Sequence, residues 1–427
     1  MKRFLNFYLP TFLSITLITA GGFFWLNVHN AQAVVTVTFM EPGGDADFQP
    51  PMAVLNISFW SVKNGSPLPT TATDFVHGNH KKSINYPAGG AASCFLQKTG
   101  ILADTGSRVS LYIYLNALPT ATANIFAFYN SVGTQKVAVR LTSAGVLQLW
   151  DAANAQIGTN GSTLSTGTWY RISLAYTITN TTTNEFRLFK NGSLDISVTN
   201  ATLTGTGTNA WRIGNINTDA TLDMRSSDHY ADNSSSLTDT GNIWVTAKRP
   251  IANGTNNQWT TQVGSGGSGY GTGHSPQVNE RAQSDVNGWS IQSASLQTEE
   301  YSIESVSQGD IDITGATIVD FMGWVNANVG SNSTGNIIVA GTASNISVTT
   351  GEKYFTKVAG STTYPAGNTD IGIDNNSVNQ LFSLYEAGII VAYIPAAAVV
   401  VPPVTRGLLI ENSKVKIMNA KIKLQFQ

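Results

Sequence analysis

Beyond the first thirty or so residues, apolar and polar positions alternate in short runs and almost never recur at helical spacing, which predicts strands. The runs are RVSLYIYLN (108–116), NIFAFYN (124–130), KVAVRLT (136–142), GVLQLW (145–150), TWYRISLAYT (168–177) and EFRLFKNG (185–192). Between them, TSAG, TNGS and KNGS supply Gly and Asn where a tight turn needs positive φ. Strands of this length at this spacing predict an antiparallel, two-sheet jelly roll. Alternation also sorts side chains by face. Leu111, Ile113 and Leu115 share one face, leaving Tyr112 and Tyr114 on the other. Val137, Val139, Leu141, Leu147 and Leu149 point inward, so Arg140, Gln148 and Trp150 point out. In TWYRISLAYT the apolar row is Tyr170, Ile172, Leu174 and Tyr176; Trp169 and Arg171 belong to the opposite row, with Trp169 near the strand's entry and placed to cover an end of the sandwich.

The second half continues the pattern with YSIESV, TIVDFMGWVNANV, NIIVAGT, EKYFTKV and AGIIVAYIP, reached through the Gly-rich GSGGSGYGTGHSP (264–276). The division expected is a jelly roll over 34–252, a second β-sandwich over 253–395 and a C-terminal β tail over 396–427. In the tail, KVKI and KIKLQF follow Pro402 and Pro403, and their lysines discourage uncontrolled edge pairing. Residues 1–33 differ: Lys2 and Arg3 precede an uncharged apolar run from Phe4 to Val28, then Ala31-Gln32-Ala33. This reads as a secretory signal peptide or, uncleaved, a helical membrane anchor. Either way the expected location is secreted or cell-surface, with membrane contact only through this segment.

Composition narrows the class. Charged residues are 12% of the 427, hydrophobic residues 42%, and the net charge is −2. An uncharged polar surface over ample core suits an extracellular all-β protein, and no basic field exists to hold nucleic acid. With Cys94 as the single cysteine, no intrachain disulfide forms, and core area must supply the stability.

The succession GVLQLWDAANAQIG, LSTGTWYRISLAYT, FRLFKNGSL, WRIGN and SSDHYADNSS resembles laminin-G-like, concanavalin A-like lectin/glucanase jelly rolls over roughly residues 40–250. NIWVTAKRP and EKYFTKV are similar, more loosely, to the β-sandwich that follows such domains in phage surface and tail-associated proteins. The resemblance implies a fold shared by lectins, adhesins, glycosidases and structural modules. It also implies calcium at one rim, for which Asp104, Asp228, Asp232 and Asn233 are the candidate oxygen ligands; turn and capping roles are the alternative for each.

Catalytic motifs are sparse. None of the nine glutamates has Asp two positions later, so the paired-carboxylate strand of laminarinase-like glycosidases is missing. Glu299, Glu300 and Glu304 read as solvent-facing strand residues. His77 and His80 in HGNH stand beside Lys81 and Lys82, which disfavours a cation and suggests a polar loop. The ligand-binding candidates are Tyr112, Tyr114, Arg140, Gln148, Trp150 and Arg171. Flat rings stack on sugar C–H faces, and Arg or Gln supplies planar hydrogen bonds to hydroxyls. The alternative is ordinary cross-strand pairing; alternation alone does not say which of the six share a sheet. The expected function is a non-enzymatic carbohydrate-binding or adhesion protein whose partner is a glycan or envelope component. A structural, virion-like surface module and a divergent polysaccharide-cleaving enzyme are the alternatives.

Overall fold

The computed structural model describes residues 36–42, 60–80, 82–89, 93–103, 105–130, 133–179, 183–202, 208–259, 297–309, 311–329, 333–348, 351–365, 370–375 and 382–396, with the strand segments 17–19, 22–24, 261–263, 290–293, 408–411 and 414–417. The described residues are all-β, and every pairing among their strands is antiparallel.

Two facing sheets form the first sandwich. The seven-stranded sheet runs in the order Gln156–Ile157, Leu147–Asp151, Gln135–Leu141, Ala123–Tyr129, Ala210–Asn215, Cys94–Thr99, Val62–Asn64. The second runs Ser193–Ala201, Asn184–Lys190, Trp169–Thr177, Gly106–Ala117, Asp223–Asp232, Ser83–Tyr86, Thr70–Ala72, with Val37–Glu41 pairing on the far end of Asp223–Asp232. Between them lie the inward rows read from alternation, closed by Trp60, Phe126, Phe128, Trp211 and Tyr176. Trp211 and Tyr176 are fully buried; burying side chains of this size contributes about 2–3 kcal/mol each. Cys94 is buried in the same core.

The second sandwich faces Phe382–Ile394, Thr317–Val329 and Gly351–Val358 against Pro250–Asn257, Gln297–Ile303, Ile371–Asn375, Ser333–Val339 and Thr342–Val348. Trp244–Lys248 pairs with Phe382–Ile394, so the chain passes from covering the first sandwich directly into a sheet of the second. Met322, Trp324, Ile390 and Ala392 accordingly share a core cluster with Val37, Phe39 and Val245. Lys248 is buried, and its Nζ donates to the carbonyls of Val306, Gln308 and Ile311, satisfying a loop that has no ladder of its own.

Most of the leader lies outside the described residues. The parts described, Leu17–Thr19 and Gly22–Phe24, pair antiparallel, a correction to the helix expected there; β-branched Ile18 and Thr19 beside glycine favour extended backbone. No helix among the described residues is long and apolar enough to cross a membrane. In the separate unit 396–427, Leu408–Glu411 pairs with Lys414–Ile417.

Candidate functional site

The outer face of the sheet built on Gly106–Ala117 collects three of the six ligand candidates. Tyr112 stands opposite Arg171 on one neighbour and Ser227 on the other, and Tyr114 opposite Trp169 and Arg225. Their convergence matches the alternation, but they do not face solvent. Tyr112 is 8% exposed and Arg171 5%. Residues 73–80 and 239–244 lie across them.

The cover is anchored at every turn. Phe75 stacks on Tyr114 with ring centroids 4.6 Å apart, and His77 on Tyr112 at 3.7 Å. Trp169 Nε1 donates to the carbonyl of Val76 at 3.0 Å. Arg225 grips Asp74 and Asp223. Arg171 makes a two-pronged contact with Asp239, 2.8 and 2.7 Å, and donates to the Gly241 carbonyl. Tyr112 donates its hydroxyl proton to Asn242 Oδ1, and burial pushes that hydroxyl's pKa up to about 12.

Beneath the cover sits a cluster that the HGNH motif alone does not reveal. His77 Nδ1 lies 2.7 Å from Asp228 Oδ2, and His80 Nε2 lies 2.9 Å from Asp228 Oδ1. The Val245 N–H also donates to Oδ1, at 2.7 Å. Asp228 is fully buried, and both histidines are buried too, a correction to the polar loop expected for them: the turn from His77 to His80 folds inward onto the sheet. Burial works to raise the Asp228 carboxyl, but the two imidazoles outweigh it and hold the group well below the ordinary carboxylate range.

Asp228 reaches this position through a β-bulge. Ser227 pairs with Tyr112 and Tyr230 with Ser110, three steps on one strand against two on the other. The extra residue is Asp228, at φ 52°, a conformation costing a non-glycine residue about 1–2 kcal/mol. Bulges re-aim side chains; here Asp228 stays on the outer face while His229 turns into the core. There His229 Nδ1 lies 2.7 Å from Glu41 Oε2, and Nε2 lies 2.9 Å from Ser226 Oγ. The carboxylate–imidazole–hydroxyl order is that of a nucleophilic triad, but Glu41, His229 and Ser226 are at most 1% exposed. They stand inside the core, where the His229 ring is hydrogen-bonded to the main-chain carbonyl of Glu41 at 3.3 Å and to the Ser226 hydroxyl.

The other three candidates sit on the outer face of the opposite sheet, in the hairpin of Gln135–Leu141 and Leu147–Asp151, where Arg140 pairs with Gln148 and Ala138 with Trp150. The Arg140 guanidinium lies 4.2 Å from the Trp150 ring centre. Trp150 Nε1 donates to Gln148 Oε1 at 2.9 Å, and Gln148 Nε2 donates to Asn160 Oδ1 at 2.8 Å. Arg140 also donates to Asn154 Oδ1 at 2.6 Å. All three are half-buried, with Asn154 and Asn160 exposed beside them.

Of the calcium candidates, Asp104 lies outside the described residues. Asp228 faces the two histidines. Asp232 is held by Arg108 at 2.7–3.2 Å, and Asn233 Oδ1 accepts the Thr36 N–H at 2.8 Å. Glu299 and Glu300 are buried rather than solvent-facing, because their carboxylates accept the N–H groups of Trp259 and Asn256. A cleft of about 430 Å³ where the two sandwiches meet is lined by Arg108, Tyr230, Asp320 and Ser361 among others. Its charges are engaged: Arg108 by Asp232, and Asp320 by the N–H groups of Phe321 and Ser361.

The sequence matches no family profile and no curated protein. Among solved structures it is similar to an endo-β-1,4-glucuronan lyase from Trichoderma reesei, at 12% identity over 48% of this chain and 98% of that one, TM-score 0.37. It is also similar to carbohydrate binding module CBM66 from Bacillus subtilis, at 10% identity over 42% and 98%, TM-score 0.29. A sialidase from Trypanosoma rangeli matches at 10% identity over 40% of this chain, TM-score 0.29, and the match spans 28% of that enzyme. Neither activity nor ligand passes from these proteins to this chain.

Proposed function

We propose that this chain is an exported, non-enzymatic protein that binds glycans in shallow contacts on the solvent face of its first sandwich. The observation that supports this is the Arg140–Gln148–Trp150 patch: a half-buried indole backed by a guanidinium and rimmed by the amides of Gln148 and the exposed Asn154 and Asn160. A sugar presents an apolar C–H face and a rim of hydroxyls, and this patch offers an aromatic face with planar donors and acceptors at its edge. Export rests on the N-terminal run and its A-x-A site.

A glycan array probed with the full chain, with and without EDTA, tests the reading. Binding is expected, and Trp150→Ala is expected to weaken it at least about tenfold, the loss of a stacking contact of roughly 1.5 kcal/mol, with the melting temperature little changed. Silence across the array favours the structural surface module. That second reading draws on the burial of Tyr112, Tyr114 and Arg171 under the chain's own residues. Release of reducing ends from a polysaccharide would overturn the non-enzymatic reading.

A further inference from the structure

We infer that His77, His80 and Asp228 form a binding site for one divalent transition cation of the zinc class, which clamps residues 73–80 onto the sheet. The inference is independent of the glycan reading and rests on the three side chains themselves. One nitrogen from each histidine and a carboxylate oxygen lie within 4.8 Å of one another, and among the described residues no other group of His, Cys, Asp and Glu converges in this way.

Five features make the cluster a ligand set rather than a chance meeting. The histidines are three apart in a turn closed by the His80 N–H donating to the His77 carbonyl at 3.0 Å. The turn presents Nδ1 from one ring and Nε2 from the other, a combination that lets a short loop wrap one ion. Asp228 is held out of the ladder by the bulge, at positive φ, with its carboxylate aimed at both rings. Its Oδ1 is oriented by the Val245 N–H, the kind of outer hydrogen bond that fixes metal ligands in place. Finally, Tyr112 and Trp244 pack around His77, with ring centres at 3.7 and 4.6 Å, and this shell keeps competing water away.

The donor set chooses the ion. Calcium and magnesium take hard oxygens, six or more of them for calcium; two imidazoles and one carboxylate suit zinc or its neighbours in the first transition row. Among the described residues these three side chains are the group that converges. His77 is 7% exposed and His80 3%, so exchange is expected to be slow. The rival is a carboxylate held between two imidazoles by protons alone. That arrangement needs an N–H on each facing nitrogen, whereas a cation displaces those protons and takes the same lone pairs.

The consequence is mechanical. Residues 77 and 80 are joined to residue 228 across about 150 positions of chain, and an ion there ties down the segment that seals Tyr112 and Tyr114. The test uses the full chain, purified without a histidine tag, stripped with EDTA and dialysed. Zinc titrated by calorimetry with elemental analysis is expected to give one ion per chain, and re-addition to raise the melting temperature by at least about 5 °C. Cobalt(II) in its place is expected to give the visible bands of a four-coordinate nitrogen–oxygen site. His80→Gln and His77→Gln should each lower zinc affinity at least about tenfold. Wild-type protein that takes up no zinc and melts identically with EDTA and with zinc overturns the proposal, whatever the variants do. Equal zinc uptake by wild type and both folded variants overturns it as well.

Discussion

Gly78 shows how narrowly the cover over the first sandwich is fitted. It sits between the two histidines at φ 55°, and a Cβ built there would overlap the six-membered ring of Trp244. Trp244 cannot withdraw freely, because its ring also packs on His77 and Tyr393. Gly78→Ala therefore combines left-handed backbone strain with a steric conflict, and we expect a loss of about 2–4 kcal/mol in urea unfolding. Gly89→Ala is the matched control: φ is 88° but nothing lies within 4 Å of the added methyl. It should lose only about 1–2 kcal/mol. Equal losses at the two positions would mean that the Trp244 contact does not hold the loop.

At the scale of the strand, the bulge in Asp223–Asp232 is a one-residue insertion, which makes deletion informative. Without Asp228, Ser227 still opposes Tyr112 and Tyr230 still opposes Ser110, with His229 between them on the core face. The ladder becomes regular, and the Glu41 and Arg108 partners keep their register. The deletion should fold, with an unchanged β spectrum and unchanged amide protection at 229–232, and lose about 2–4 kcal/mol from the two orphaned imidazoles, less the relieved strain. Deleting Ala231 instead leaves the bulge in place and carries Asp232 away from Arg108; that variant should not fold. The bulge also marks where sequence pattern stops informing. In RVSLYIYLN and TWYRISLAYT the period of two sets Tyr112 and Arg171 each opposite its own strand's apolar row. It does the same for Arg140, Gln148 and Trp150, but which of them share a sheet follows only from the strand pairing. SSDH, residues 226–229, is polar throughout, so no alternation breaks visibly at Asp228. The covering residues 73–80 and 239–244 have no period at all, and only the long-range contacts of Phe75, Trp169 and Asp239 bring them onto the sheet. HGNH therefore reads as a loop until Asp228, some 150 residues away, is placed against it.

Across the whole molecule, the buried tyrosines set the alkaline limit of stability. Desolvation raises Tyr112 to about 12 and also lifts Tyr86, Tyr230, Tyr301 and Tyr364 above the ordinary phenol value. These residues are spread over both sandwiches, and the shared cluster of Val245, Trp324 and Ile390 couples the two. Below about pH 10 each tyrosine is protonated folded or unfolded, and its contribution is fully present. Above that the unfolded chain releases the proton while the folded chain retains it, so stability falls with pH by up to about 1.4 kcal/mol per unit for each such residue. The acid side runs the other way. Burial works to raise the carboxyl of Asp219, but the N–H groups of Thr221, Ala121 and Leu222 outweigh it and hold the group far below the usual range. That contribution is present above about pH 4 and is lost as the pH falls below it. Burial lowers the Lys98 ammonium to about 8, so stability should rise between about pH 8 and 10 as the folded chain sheds that proton first. Urea midpoints followed against pH should thus show a mild fall below about 4, a rise above about 8 and a steep fall above about 10. Tyr112→Phe removes one titrating group, so its curve should lie closer to wild type at pH 11 than at pH 8, where it lacks the hydrogen bond to Asn242. Parallel curves at the two pH values would mean that the Tyr112 hydroxyl is solvated, and that residues 73–80 and 239–244 do not seal the sheet.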